Sequence, residues 1–166
     1  IAIVGTSYGG YEALVGLTFT PEKFACGISM VGISDLTTFI NDVPKYWKYN
    51  IDKWDRFIGK ASEPADLQLM REKSPLFYVD RVTKPLFIIH GEQDVRVNKD
   101  QSIRLVDALK KQNKQVNFWL IGNEGHGISR WNNNLSYYRK TEDFLAKCLG
   151  GRSGGFDYYQ LVNLVL

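Results

Sequence analysis

Ser7 stands between glycines in Gly5-Thr6-Ser7-Tyr8-Gly9, directly after the apolar run Ile1-Ala2-Ile3-Val4 and just before Tyr11-Glu12-Ala13-Leu14-Val15. An apolar strand, Gly-x-Ser-x-Gly and a helix-compatible run form the pattern of a nucleophile elbow. There the chain turns sharply and holds the serine at its apex in a strained backbone conformation. An ordinary strand-to-helix turn is the plain alternative. Gly5 and Gly9 are read as the positions where a Cβ would collide across the turn. At the head of a helix, Ser7 also has free N–H groups and the positive end of a dipole beside it. The chemistry on offer is nucleophilic attack, and it requires a base, because a hydroxyl is a poor nucleophile near neutral pH.

The chain has two histidines from which to choose that base. His90 precedes Gly91 at the end of an apolar run, and we expect it to be held in a sheet with its ring satisfied locally. His126 lies between Gly125 and Gly127 on a loop, where a ring can swing over the elbow, and it is the preferred base. Asp94 would fix the imidazole tautomer and stabilise the imidazolium formed during attack. Glu92 and Asp100 are nearby alternatives, and a plain turn aspartate is the unremarkable reading of Asp94.

These residues need a scaffold that brings distant stretches together. The first helix should run from Tyr8 to about Thr18. Phe24 to Val31 and Leu86 to Gly91 are short apolar runs suited to buried parallel strands. Pro85, at a strand's first position, needs no ladder donor. A helix is expected from about Lys99 to Lys111, a strand from Gln115 to Ile121, and a last helix carrying Tyr137, Thr141, Phe144, Leu145 and Cys148 on one face, ended by Gly150-Gly151. Strands alternating with helices predict an α/β fold with an open, mostly parallel sheet covered on both faces. Ligands on such sheets bind at the carboxyl ends of the strands, where Ser7, Asp94 and His126 all fall. Between the second and third strands lies an excursion rich in Tyr46, Trp47, Tyr49, Trp54 and Phe57 among lysines and arginines. Interleaved bases and aromatics occur in single-stranded nucleic-acid binders, but short helices over a cleft explain them better.

Bulk properties narrow the classes further. The chain has 166 residues, 44% apolar and 23% charged, with a net charge of +3. That charge is too small to imply a nucleic-acid partner or an anionic membrane surface. No apolar run is long enough to span a bilayer, and no signal-peptide pattern is present. Cys26 and Cys148 have no framework or metal spacing and are read as buried free thiols, which fits a reducing, cytoplasmic setting. No His/Cys/carboxylate cluster has ligand spacing, so neither a metal nor a cofactor is implied. Asn134-Leu135-Ser136 is a lone glycosylation sequon. The chain opens without Met inside an apparent core strand, and we read it as the later part of a longer protein.

Three stretches carry a specific resemblance: Gly5-Thr6-Ser7-Tyr8-Gly9-Gly10-Tyr11, His90-Gly91-Glu92-Gln93-Asp94-Val95-Arg96-Val97 and Glu124-Gly125-His126-Gly127. Together they resemble the catalytic domain of the prolyl oligopeptidase family, in its acylaminoacyl peptidase and dipeptidyl aminopeptidase branch. The likeness covers about residues 1 to 152 and implies an α/β-hydrolase fold that is partial here, lacking its N-terminal strands. It implies a serine peptidase acting on short peptides through an acyl-enzyme, with a β-propeller ahead of this domain. It makes Ser7 the nucleophile, His126 the general base and Asp94 the orienting acid, with the Tyr8 N–H as one oxyanion donor. It points to Tyr8, Val95 and Trp54 for the pocket that takes the residue before the cleaved bond, although packing within the excursion accounts for Trp54 equally well.

Two departures set further expectations. The family's second oxyanion donor, a tyrosine on an earlier loop, is absent, as are the propeller and the first strands. These residues alone should therefore have little or no peptidase activity, and the exposed sheet edge should favour homo-oligomers. Residues 153 to 166 form an apolar tail with a role in packing on the body or on another subunit. A carboxylesterase using the same three residues, and a binding or assembly fragment without a working oxyanion site, are the competing readings.

Overall fold

A computed structural model describes residues 1–154. Its centre is a four-stranded, wholly parallel sheet in the order β1-β2-β3-β4, formed by Ala2–Thr6, Cys26–Met30, Leu86–Gly91 and Val116–Ile121. Val4 pairs with Ile28, Ile28 with Phe87, and Phe87 with Asn117, so one row of alternating side chains runs across the sheet. β3 is buried at all six positions, and β2 is nearly so. Each has a partner on both sides and helices over both faces, which is why its sequence is continuously apolar.

One face carries α1 (Tyr8–Phe19) and α5 (Asp100–Lys111). Leu14, Leu17, Leu105 and Leu109 pack there on Leu86 and Ile88, with Val79 from the 3₁₀ stretch Pro75–Arg81 and Val82 just after it. The opposite face carries α6 (Trp131–Leu149), whose Phe144 meets Cys26, Ile28, Phe87 and Ile89. Leu86 and Ile88 face one layer and Phe87 and Ile89 the other, as a two-residue period requires. The excursion folds as α2 (Leu36–Asn41), a 3₁₀ stretch, α3 (Ile51–Phe57) and α4 (Pro64–Glu72) around Ile33, Phe39, Ile40 and Met70. No helix among the described residues is long and apolar enough to cross a membrane.

The two cysteines are not free. Cys26 on β2 and Cys148 on α6 form a disulfide with their Cα atoms 6.2 Å apart, across a sequence separation of 122. Spacing along the chain gave no hint of this, because the pairing exists only once α6 has folded back over the sheet. Disulfides persist in oxidising compartments, so the ground for a reducing, cytoplasmic setting falls away. β1 is an edge strand of the described sheet, and its Val4 is 50% exposed. The expected role of the apolar tail falls on residues 155 to 166, outside the described residues.

Candidate active site

β1 delivers Ser7 to the carboxyl edge of the sheet, and α1 begins one residue later. Ser7 has φ 59° and ψ −119°, a left-handed backbone that a non-glycine residue rarely adopts. Its N–H donates to the Met30 carbonyl at 2.9 Å, and its own carbonyl accepts from the Tyr11 N–H at 3.1 Å. The strained residue is thus clamped from β2 and from α1. A Cβ on Gly5 would fall on the Gly9 carbonyl, as expected, but a Cβ on Gly9 would meet nothing within 4 Å. The crowded partner is Gly10, where a Cβ would lie 2.8 Å from both the Gly32 Cα and the Met30 oxygen. The sequence pattern misassigned this glycine because the constraint comes from β2 and the loop after it, not from within the turn.

Asp94 follows β3 on a tight turn, its N–H donating to the Gly91 carbonyl at 3.1 Å. Its Oδ1 accepts from the Arg96 N–H at 2.8 Å and the Val97 N–H at 3.0 Å. Its Oδ2 lies 2.8 Å from Nδ1 of His126 and 3.4 Å from Nε2 of His90. Burial alone would raise the carboxyl pKa. Bonds from His126, His90, Val97 and Arg96 outweigh it and hold Asp94 well below the usual carboxylate range. The group is ionised and its side chain is fully shielded from solvent.

His126 lies on the loop after β4, with its side chain 14% exposed. A carboxylate only accepts, so Nδ1 carries the proton, and Nε2 is left to accept from the Ser7 hydroxyl at 2.8 Å. That is the tautomer a general base requires. His90 is buried; its Nε2 donates to the Val97 carbonyl at 3.0 Å, while its Nδ1 lies 2.7 Å from the Ser102 hydroxyl. It braces the Asp94 turn, with both ring nitrogens satisfied locally as expected. Glu92 instead pairs with Lys99 at 3.0 Å. The Tyr8 N–H lies in the first turn of α1, where backbone donors lack intrahelical partners, beside Ser7.

Beside the elbow opens a cavity of about 610 Å³ lined by Tyr8, Trp47, Lys53, Trp54, Phe57 and Ile58. Trp54 stacks on Trp47 at 5.2 Å and meets the edge of Phe39 at 5.6 Å, so it is at once core and wall. Val95 is 75% exposed and does not line this cavity. The sequence placed Trp47 and Phe57 among the aromatics expected over a cleft but did not mark them, Lys53 or Ile58 as pocket residues; only the folding of α3 beside Tyr8 distinguishes them from their neighbours. It also gave no role to Glu124, a fully enclosed carboxylate two residues before His126. Among the described residues, no group of three His, Cys, Asp or Glu side chains could hold a metal ion.

Residues 1–152 match the prolyl oligopeptidase family. The chain is 43% identical over 153 residues to dipeptidyl aminopeptidase BIII of Pseudoxanthomonas mexicana, covering 92% of this chain and 22% of that one. It is 41% identical to dipeptidyl peptidase family member 6 of Caenorhabditis elegans, over 94% of this chain and 21% of the relative. Among solved structures, the Mycobacterium tuberculosis puromycin-hydrolyzing peptidase superposes with a TM-score of 0.85 at 28% identity, over 94% of this chain and 23% of that one. The acylaminoacyl peptidase of Pyrococcus horikoshii gives 0.78 at 30% identity, over 98% and 26%. The chain therefore spans about a fifth of the length of the curated relatives it matches.

Proposed function

This chain belongs to the prolyl oligopeptidase family, and from that premise we propose that it is the catalytic C-terminal part of a serine peptidase that cleaves short peptides through an acyl-enzyme. The observation that carries the reading is the continuous path from Ser7 Oγ to His126 Nε2 and from His126 Nδ1 to Asp94 Oδ2, each step 2.8 Å. As a substrate carbonyl settles over the elbow, Ser7 Oγ attacks its carbon and His126 Nε2 takes the hydroxyl proton. Asp94 stabilises the imidazolium, and the Tyr8 N–H donates to the developing oxyanion. The tetrahedral adduct collapses as His126 protonates the departing amine, leaving the acyl group on Ser7. Water, deprotonated by the same imidazole, then releases it.

The aromatic cavity beside Tyr8 would take a large apolar side chain from the residue before the cleaved bond. The names of the two relatives above 40% identity favour release of dipeptides over internal cleavage. In the whole protein a β-propeller ahead of this part would restrict entry, and an earlier loop would bring the second oxyanion donor. Residues 1–152 form the catalytic part.

Labelling with a fluorophosphonate probe tests the reading. The whole protein should label, and Ser7→Ala should not. A panel of aminoacyl- and dipeptidyl-naphthylamides, acylated peptides and short-chain esters then separates a peptidase from a carboxylesterase. Turnover of esters alone would overturn the peptidase assignment, and equal labelling of wild type and Ser7→Ala would overturn the hydrolase itself.

A further inference from the structure

Glu124 is a carboxylate with no part in the chemistry just described, and it is 2% exposed. It stands on the same loop as His126, and every lone pair it offers is claimed. Its Oε2 accepts from the Ser129 N–H at 3.0 Å and the Ser129 hydroxyl at 2.8 Å. Its Oε1 accepts from the Arg130 N–H at 2.9 Å and from Asn133 Nδ2 at 2.8 Å. These donors belong to the segment that leads into α6 and to its first turn, so the carboxylate ties both ends of the loop that carries the imidazole. The Glu124 backbone carbonyl accepts from the Gln93 N–H at 2.9 Å, joining the same residue to the turn that carries Asp94.

We propose that Glu124 is the positioning residue of His126, its side chain closing the histidine loop onto α6 while its backbone docks that loop against the Asp94 turn. The inference rests on the peptidase reading for its consequence in rate, but not for its geometry. Burial would raise the carboxyl pKa, yet the bonds from Asn133, Ser129 and Arg130 prevail and hold it at about 2, so the group is ionised at neutral pH. Ionisation is required here. Both oxygens face two donors each, and an amide would turn its own N–H₂ toward one of those pairs. The serine hydroxyl could rotate to accept, but the Ser129, Arg130 and Asn133 N–H groups cannot.

Glu124→Gln in the full-length protein tests the proposal. The expected result is a fall of about 100-fold in kcat with KM within about twofold, the scale of a misplaced catalytic group. Fluorophosphonate labelling should slow in parallel, and the low-field NMR signal of the His126 Nδ1 proton should shift or broaden. Wild-type labelling together with an unchanged low-field proton would overturn the proposal, even if thermal stability fell, since a merely structural role predicts that pattern. Should Glu124→Gln fail to fold, Asn133→Ala and Ser129→Ala each remove a donor and leave the carboxylate in place. Slower labelling by both supports the proposal, and unchanged labelling by both overturns it. Failure of the peptidase reading is seen separately, as labelling that survives Ser7→Ala; the low-field proton reports the imidazole geometry without any turnover.

Discussion

Replacing Asp94 by Asn changes one atom, and the surroundings decide which way the amide turns. Oδ1 faces two backbone donors, from Arg96 and Val97, at 2.8 and 3.0 Å. Placing an N–H₂ there would oppose donors to donors on two short bonds, whereas turning it toward His126 spoils one short bond and the 3.4 Å contact of His90, whose Nε2 keeps the Val97 carbonyl as acceptor. The amide oxygen should therefore keep the Oδ1 position and Nδ2 should face the imidazole. His126 Nδ1 must then become the acceptor, which moves its proton to Nε2, 2.8 Å from Ser7 Oγ. The ring would donate to the serine hydroxyl where it needs to accept. A wrong tautomer with intact geometry costs about four powers of ten in kcat, or about 5 kcal/mol of transition-state stabilisation. The assay is hydrolysis of a dipeptidyl-naphthylamide by the full-length protein, with circular dichroism to confirm that the fold is kept. An Asp94→Asn enzyme within tenfold of wild type would refute the assignment of Asp94 as the residue that fixes the tautomer.

Gly10→Ala must push backbone against backbone at 2.8 Å and should lower stability by about 1–3 kcal/mol in denaturant titrations, whereas Gly9→Ala, with open space at its Cβ, should not destabilise. Removing the disulfide by Cys26→Ala with Cys148→Ala frees a loop closed across a separation of 122, worth about 5 kcal/mol from chain entropy; calorimetry should show a lower Tm, and reductant should reproduce it. Glu124 contributes stability that is fully present above its ordinary pKa of 4.5 and lost as pH falls through about 2. Acid titration of the wild type should therefore show a loss across that window that Glu124→Gln lacks. Among the described residues lining the cavity, Lys53 is the charged one. Lys53→Glu should change the kcat/KM ratio between substrates with Glu and Lys before the cleaved bond by about tenfold in favour of Lys, an electrostatic difference of about 1.4 kcal/mol.

Much of this protein was legible before folding was considered. Apolar runs of strand length, helices of 3.6-residue period and a serine flanked by glycines specify the alternating sheet and the elbow, because each of these is a local pattern. The general rule that loops gather at the carboxyl edge of a parallel sheet brought Asp94 and His126 toward Ser7 without coordinates. Tertiary structure decided what depends on the partner across a gap. Gly10 rather than Gly9 is constrained because β2 and Gly32 approach it there. Cys26 and Cys148 are joined because α6 returns over the sheet. Glu124 is enclosed because the segment leading into α6 and its first turn supply four donors to it, and the cavity exists because α3 folds beside Tyr8. Periodicity along a chain tells which side of an element is apolar; which atom meets which is fixed only when the layers close on one another.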